Sequence, residues 1–150
     1  PQVFCINSNR DTIIQCEKGT VILIKANSFE LSEEQIKNGS CIEFEVKEVF
    51  SNSEIVLENL STTSNGEILE TMGMIYTNAM LGSDTISLKK DLTIISQQEQ
   101  EIEGAKIFDG SRNTTDGQIN WEIEENSILR SFTLKEVAYC INSTPLSDTC

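Results

Sequence analysis

Three glutamates, Glu43, Glu45 and Glu48, crowd the segment 41–49 of this 150-residue chain. In a strand, Glu43 and Glu45 share a face with their Cβ atoms about 6–7 Å apart. Paired carboxylates at that separation serve glycoside hydrolysis. Such pairs normally come from different strands lining a cleft with aromatic sugar platforms, and this chain has one Trp and two Tyr. A solvated strand face is therefore the expectation, and no catalytic residue is assigned. A second set of oxygen ligands, Asp109, Ser111, Asn113 and Asp116, invites calcium. The spacing fails the EF-hand pattern, because Thr114 stands where glycine is needed and Asn120 where a bidentate Glu belongs. An ordinary hairpin loop over Asp109–Asn120 is expected instead. Met72, Met74 and Met80 are read as core rather than as a soft-metal site, and Trp121 likewise as core.

Histidine is absent. That removes the commonest general base and the commonest zinc ligand together, and no Ser–His–Asp or Cys–His arrangement can be built. No metal and no cofactor are assigned. Five cysteines, Cys5, Cys16, Cys41, Cys140 and Cys150, follow no metal-ligand spacing. Disulfides in an oxidising compartment are expected, with buried thiols in a reducing one as the alternative. Cys41 falls on the Glu43/Glu45 face of its strand, where a free thiol would be a liability. Cys5 and Cys16 flank the Asn7–Asp11 turn and are the preferred pair, although a pairing centred on Ser8-Asn9 sets Cys5 opposite Ile13. Cys150 is expected to stay unpaired.

Length and composition suit a single domain with one substantial core. The charge is unusual: 24 acids against 11 bases gives −13. Such a field repels nucleic acid and anionic lipid head groups. No run of 18 apolar residues is present to span a membrane. The chain opens at Pro1, and we expect it to be a piece of something longer.

The elements that must position these residues are mostly short strands. Val21-Ile22-Leu23-Ile24 is a continuous β-branched run, as in a strand buried on both faces. From Cys41 to Val49, Ile42, Phe44 and Val46 alternate with Glu43, Glu45 and Lys47. Ser32 can cap a helical turn over Ser32–Gln35. Strands are also expected at 3–6, 12–16, 68–69, 74–76, 85–88, 92–95, 105–108 and 118–123. Gly73 suggests a bulge or close backbone approach, and Asp109-Gly110 and Asp116-Gly117 suggest turns. The tail alternates from Ile128 through Phe132 and Leu134, shifting phase at Val137. Strands at 8–12-residue spacing without a full-length amphipathic helix argue an all-β fold, an antiparallel β-sandwich with short irregular or helical insertions. The expected division is a sandwich domain over 1–125 and a C-terminal strand or tail over 126–150 that can lead into a following domain.

Gly19-Thr20 with Leu23 and Ala26-Asn27-Ser28-Phe29, Val46-Lys47-Glu48-Val49, 60–66, 69–74, Phe108-Asp109-Gly110 and 116–121 form a set of matching segments. Together they resemble a β-sandwich module of Bacteroidetes envelope and surface proteins. The likeness covers about residues 3–122, and the module is similar in turn to the ankyrin- and netrin-receptor-type sandwich. Lys25 stands where that pattern has proline. The resemblance implies a sandwich in a secreted or envelope-anchored protein of several domains, and it implies no catalysis. Asp11-Thr12-Ile13 and Asp84-Thr85-Ile86 resemble the acidic-threonine sites at which such proteins are O-glycosylated, on Thr12 and Thr85. Four N-x-S/T sequons occur, at Asn38, Asn59, Asn113 and Asn142; with this much Asn, Ser and Thr about two or three arise by chance, so they carry little weight. The expected function is a non-catalytic structural or protein-binding module with protein partners in the cell envelope. It would be extracellular, at the cell surface or periplasmic, for instance as an accessory subunit of an outer-membrane secretion, gliding or nutrient-uptake complex. A carbohydrate-binding or carbohydrate-cleaving module is the alternative, and it would expose an aromatic platform.

Overall fold

A computed structural model describes residues 1–37, 41–60, 62–98, 103–131 and 133–150. The first half of the chain forms β1 (Gln2–Ile6), β2 (Thr12–Gln15), β3 (Val21–Ile24), α1 (Glu33–Lys37), β4 (Ile42–Val49), α2 (Asn52–Leu57), β5 (Thr63–Ser64) and β6 (Glu67–Ile68). It continues with β7 (Met74–Leu81), β8 (Asp84–Thr85), β9 (Thr93–Ile95), β10 (Phe108–Arg112), β11 (Ile119–Ile123) and α3 (Leu134–Asn142). The chain divides into two units: Pro1–Glu48, Ile75–Gln97 and Phe132–Cys150 form the first, Val49–Met74 and Gln98–Ser131 the second. The fold is mainly β, with antiparallel pairing and few short helices. No helix among the described residues is long and apolar enough to cross a membrane.

The first unit is built on two sheets, ordered β1-β4-β7-β8 and β2-β3-β9. One buried cluster draws on both. Ile6, Ile42, Phe44, Val46 and Ala79 come from the four-stranded sheet, and Ile14, Cys16, Ile22 and Ile24 from β2, β3 and the residue after β2. Phe29 meets Phe44 edge to face, with ring centroids 6.1 Å apart. The expected alternation along β4 is thus met: Ile42, Phe44 and Val46 are buried and Glu43 is exposed. All four residues of β3 are buried, because the sheet is covered on both sides. Ile22 and Ile24 point into the shared core. Val21 and Leu23 enter a second cluster with Cys140 and Leu146, lined by Ile141 and Cys150.

The residues covering that second face come from the tail, which was expected to be strand and is instead helix α3. Thr133 caps it, accepting from Glu136 N while the Glu136 carboxylate accepts from Thr133 N. Two orphan donors are satisfied reciprocally. The phase shift at Val137 is the helical period: Val137, Cys140 and Ile141 fall on one side. The same box, Ser51 with Glu54, starts α2, and Ser32 with Gln35 starts α1 as expected. Three polar links hold the tail down. Asp11 Oδ2 accepts from Leu146 N at 2.7 Å, Thr93 Oγ1 donates to Cys150 O at 2.6 Å, and Lys25 pairs with Asp148.

The two sheets are tied at one end by Glu48. It shares the parity of Ile42, Phe44 and Val46, so its side chain faces inward at the strand end and is only 5% exposed. Its carboxylate accepts from Lys18 N (2.9 Å), Thr20 N (3.1 Å) and Gln2 Nε2 (3.1 Å). Lys18 Nζ donates to the Glu48 carbonyl at 3.1 Å, and Gln2 Oε1 accepts from Glu17 N at 2.9 Å. The β2–β3 turn is therefore clasped by β1 and β4. Burial alone would raise the Glu48 pKa. The donors from Thr20, Lys18 and Gln2 outweigh it, and the net direction is down. The buried Thr20 hydroxyl favours the charged carboxylate by its proximity but makes no hydrogen bond of its own. At the opposite end Asp11 bridges Ala26 N and Leu146 N, and those donors, Leu146 first, lower its pKa too.

The expected Cys5–Cys16 disulfide is corrected. Cys5 bonds Cys41 across β1 and β4 with Cα atoms 5.3 Å apart, and Cys140 bonds Cys150 at 5.8 Å. Cys150, expected unpaired, is thus bonded. Cys5 faces outward on β1, diagonal to Cys41, whereas Cys16 follows Ile14 into the core between the sheets. Cys16 is the free thiol, its pKa pushed up to about 11 by burial and then by the Glu48 charge. Two disulfides are what an oxidising extracytoplasmic compartment permits.

The second unit contains the β5–β6 pair and the β10–β11 hairpin, with β5 alongside β11. The close approach expected at Gly73 is real: a Cβ there would lie 2.4 Å from the Phe50 ring. The expected turn at Asp109-Gly110 is instead strand, paired Asp109↔Glu122 and Gly110↔Trp121. A Cβ on Gly110 would sit 2.6 Å from the Trp121 ring, so the glycine makes room for the indole.

Glu48→Gln should lower stability at pH 7 by about 2 kcal/mol, since one amide oxygen cannot serve three donors. A carboxylate with a depressed folded pKa stabilises above its unfolded value, here near 4.5, and loses that contribution as pH falls through the folded pKa. The gap between wild type and Glu48→Gln in urea unfolding should therefore narrow below pH 4.5; a gap constant to pH 3 contradicts the clasp. Thiol counting without reductant should find no reactive thiol in the native protein and one in denaturant, with Cys5 and Cys41 in a single linked peptide.

Candidate functional site

The two sheets of the first unit differ in what covers their outer faces. The three-stranded sheet has α3 and the tail over Val21 and Leu23. The outer face of the four-stranded sheet carries Val3, the Cys5–Cys41 bridge, Glu43, Glu45 and Lys47 on β1 and β4, and Tyr76, Asn78 and Met80 on β7. Its β1–β4 register is Val3↔Glu45 and Cys5↔Glu43. On β7, Ile75, Ala79 and Leu81 pack inward, which turns Tyr76 outward at 52% exposure. Val3, Cys5 and Glu43 are exposed as well, and none of the outer residues is buried. The disulfide staples two neighbouring strands of this face. The surface is a firm, mixed apolar and acidic sheet face rather than a cleft.

Glu43 and Glu45 lie on this face as the alternation predicts, Glu43 exposed and Glu45 half-buried. Glu48, grouped with them by proximity in sequence, belongs to the core side. Its parity with Ile42 was the available signal. Asp109 and Ser111 sit within β10, while Asn113 and Asp116 lie in the turn, where their Oδ1 atoms accept from Thr115 N and Gln118 N at 2.8 and 2.9 Å. Those oxygens are occupied in shaping the turn. Among the described residues no group of three or more His, Cys, Asp or Glu could hold a metal ion.

No family model, curated protein or solved structure matches this chain.

The two tyrosines do not converge in the first unit. Tyr76 lies on the outer face of the four-stranded sheet, and Tyr139, 60% exposed, lies on α3 over the other sheet. Trp121, expected in the core, is half-buried on β11, and Met72, Met74 and Met80 are half-buried rather than core. Thr85 is exposed on β8, whereas Thr12 is half-buried and paired with Ile24. Asn59, Asn113 and Asn142 are exposed; Asn38 lies outside the described residues.

Self-repulsion at −13 is screened by salt, so the melting temperature should rise from low to moderate NaCl. Calcium should add little beyond matched ionic strength. A large calcium-specific rise abolished by Asp109→Ala would restore the metal reading of the loop.

Proposed function

We propose that the chain is a non-catalytic β-sandwich module of a larger bacterial envelope or surface protein, and that it binds a protein partner through the outer face of its four-stranded sheet. The carrying observation is the contrast between the two sheets: one is covered on both faces, while the other presents Val3 and Tyr76 to solvent on a disulfide-stapled surface. Val3 and Tyr76 set exposed apolar side chains among the charged residues of β4, a mixed surface of the kind a protein partner can bind. The two disulfides support an oxidising compartment, and the segments resembling the Bacteroidetes module support the envelope setting. An outer-membrane secretion, gliding or uptake complex is the assembly we favour. Tyr76 and Tyr139 occupy different layers of the unit and form no joint sugar platform, which weighs against the carbohydrate-module alternative.

A photo-crosslinking residue replacing Tyr76 should give a discrete protein adduct in the envelope of the source cell, and one replacing Tyr139 should not. Adducts from both positions alike, or from neither, overturn the assignment of the face. On a glycan and ester panel we expect neither binding nor turnover. Activity lost with Glu43→Gln or Glu45→Gln, or glycan binding lost with Tyr76→Ala, would establish the carbohydrate module instead.

A further inference from the structure

The second unit holds 12 acids and 3 bases, a net −9 of the chain's −13. Among the described residues both buried hydrophobic clusters belong to the first unit, and the second buries Val49 and Ile55. In the second, Val56, Leu57 and Ile68 are 77%, 83% and 85% exposed, and Ile123 is half exposed. Its β10–β11 hairpin is sharply two-faced. Phe108 pairs with Ile123, Gly110 with Trp121 and Arg112 with Ile119 on one side; Asp109 pairs with Glu122 and Ser111 with Asn120 on the other. Like charges directly across a ladder are destabilising, and a cation added beside the Asp109–Glu122 pair would relieve it. Among the described residues β10 pairs with no strand but β11, and Asp109 to Arg112 are all exposed.

We infer that β10 is a docking edge for an extended segment of a partner protein in which basic and apolar residues alternate. Added as a third strand, such a segment sets its apolar side chains beside Phe108 and the Trp121 ring that lies over Gly110. Its basic side chains fall beside Asp109, on the Glu122 side. The hairpin has β5 alongside β11, and a strand added at β10 extends it on the side where no described strand pairs. Charge selects this occupant over the others. A second copy brings another −9 unit against the first, and an anionic membrane is repelled by the same field. The edge is built from other residues than the outer face of the four-stranded sheet, so either assignment can fail without the other.

The test uses the full chain and three peptides of equal length alternating Lys/Val, Lys/Ser and Glu/Val. Trp121, the chain's one tryptophan, reports by emission, and amide hydrogen exchange reports on β10. Lys/Val should blue-shift the emission and slow exchange within β10, and added NaCl should weaken its binding. Lys/Ser and Glu/Val should bind at least tenfold more weakly. Asp109→Lys, an exposed change that also removes the Asp109–Glu122 repulsion, should cut Lys/Val affinity tenfold or more. Equal binding of Lys/Ser, unchanged β10 exchange, or full affinity in Asp109→Lys overturns the inference. So does concentration-dependent β10 protection in the protein alone with a sedimenting dimer, which would make the occupant a second copy.

Discussion

A buried carboxylate at the end of β4 fixes how the first unit is put together. Glu48 stands where the next core residue of the strand would be, and it spends its charge on backbone N–H groups of a turn in the other sheet. Hydrophobic burial between two sheets is non-directional and tolerates sliding. Donors at Lys18 and Thr20 do not, because their bonds hold only within a few tenths of an ångström. The clasp therefore sets where the β2–β3 hairpin sits on the four-stranded sheet. Asp11 repeats the device at the other end, joining the start of β2, the end of β3 and the tail.

The division of labour among polar groups follows from this. Glu48, with inward parity, and Asp11, with a turn to bridge, are structural, and their pKa values are pulled down by the donors they hold. Acids with outward parity, such as Glu43, contribute to the field instead. The same alternation separates the cysteines: outward Cys5 and Cys41 meet in a bridge, while inward Cys16 remains a protonated thiol in the core.

Much of this was legible in the residues. Period two along 41–49 and the four β-branched or apolar residues at 21–24 announced the two sheets and the double burial of β3. Glycine at 73 announced a close approach. The failures have particular causes. Glu48 was read by its neighbours in sequence rather than by its parity. Along the tail, alternation through 128–134 carries a strand signal, while Thr133-x-x-Glu136 carries the box that starts a helix, and the helix wins. The Cys5–Cys16 preference treated β1 and β2 as a hairpin, whereas they enter different sheets, a tertiary choice that no local pattern encodes. Gly110 read as a turn because its partner, the Trp121 ring, lies eleven residues away.

The outer layer over β3 has a consequence for how the chain is made. Val21 and Leu23 are made more than a hundred residues before Cys140 and Leu146, which cover them. At ribosomal speeds of about 5–20 residues per second, that interval lasts several seconds or more. During it the nascent chain carries an uncovered apolar strip on one side of its second sheet. Holding factors, and any channel through which the chain passes, therefore meet this protein with that strip open until residues 140–146 arrive to close it.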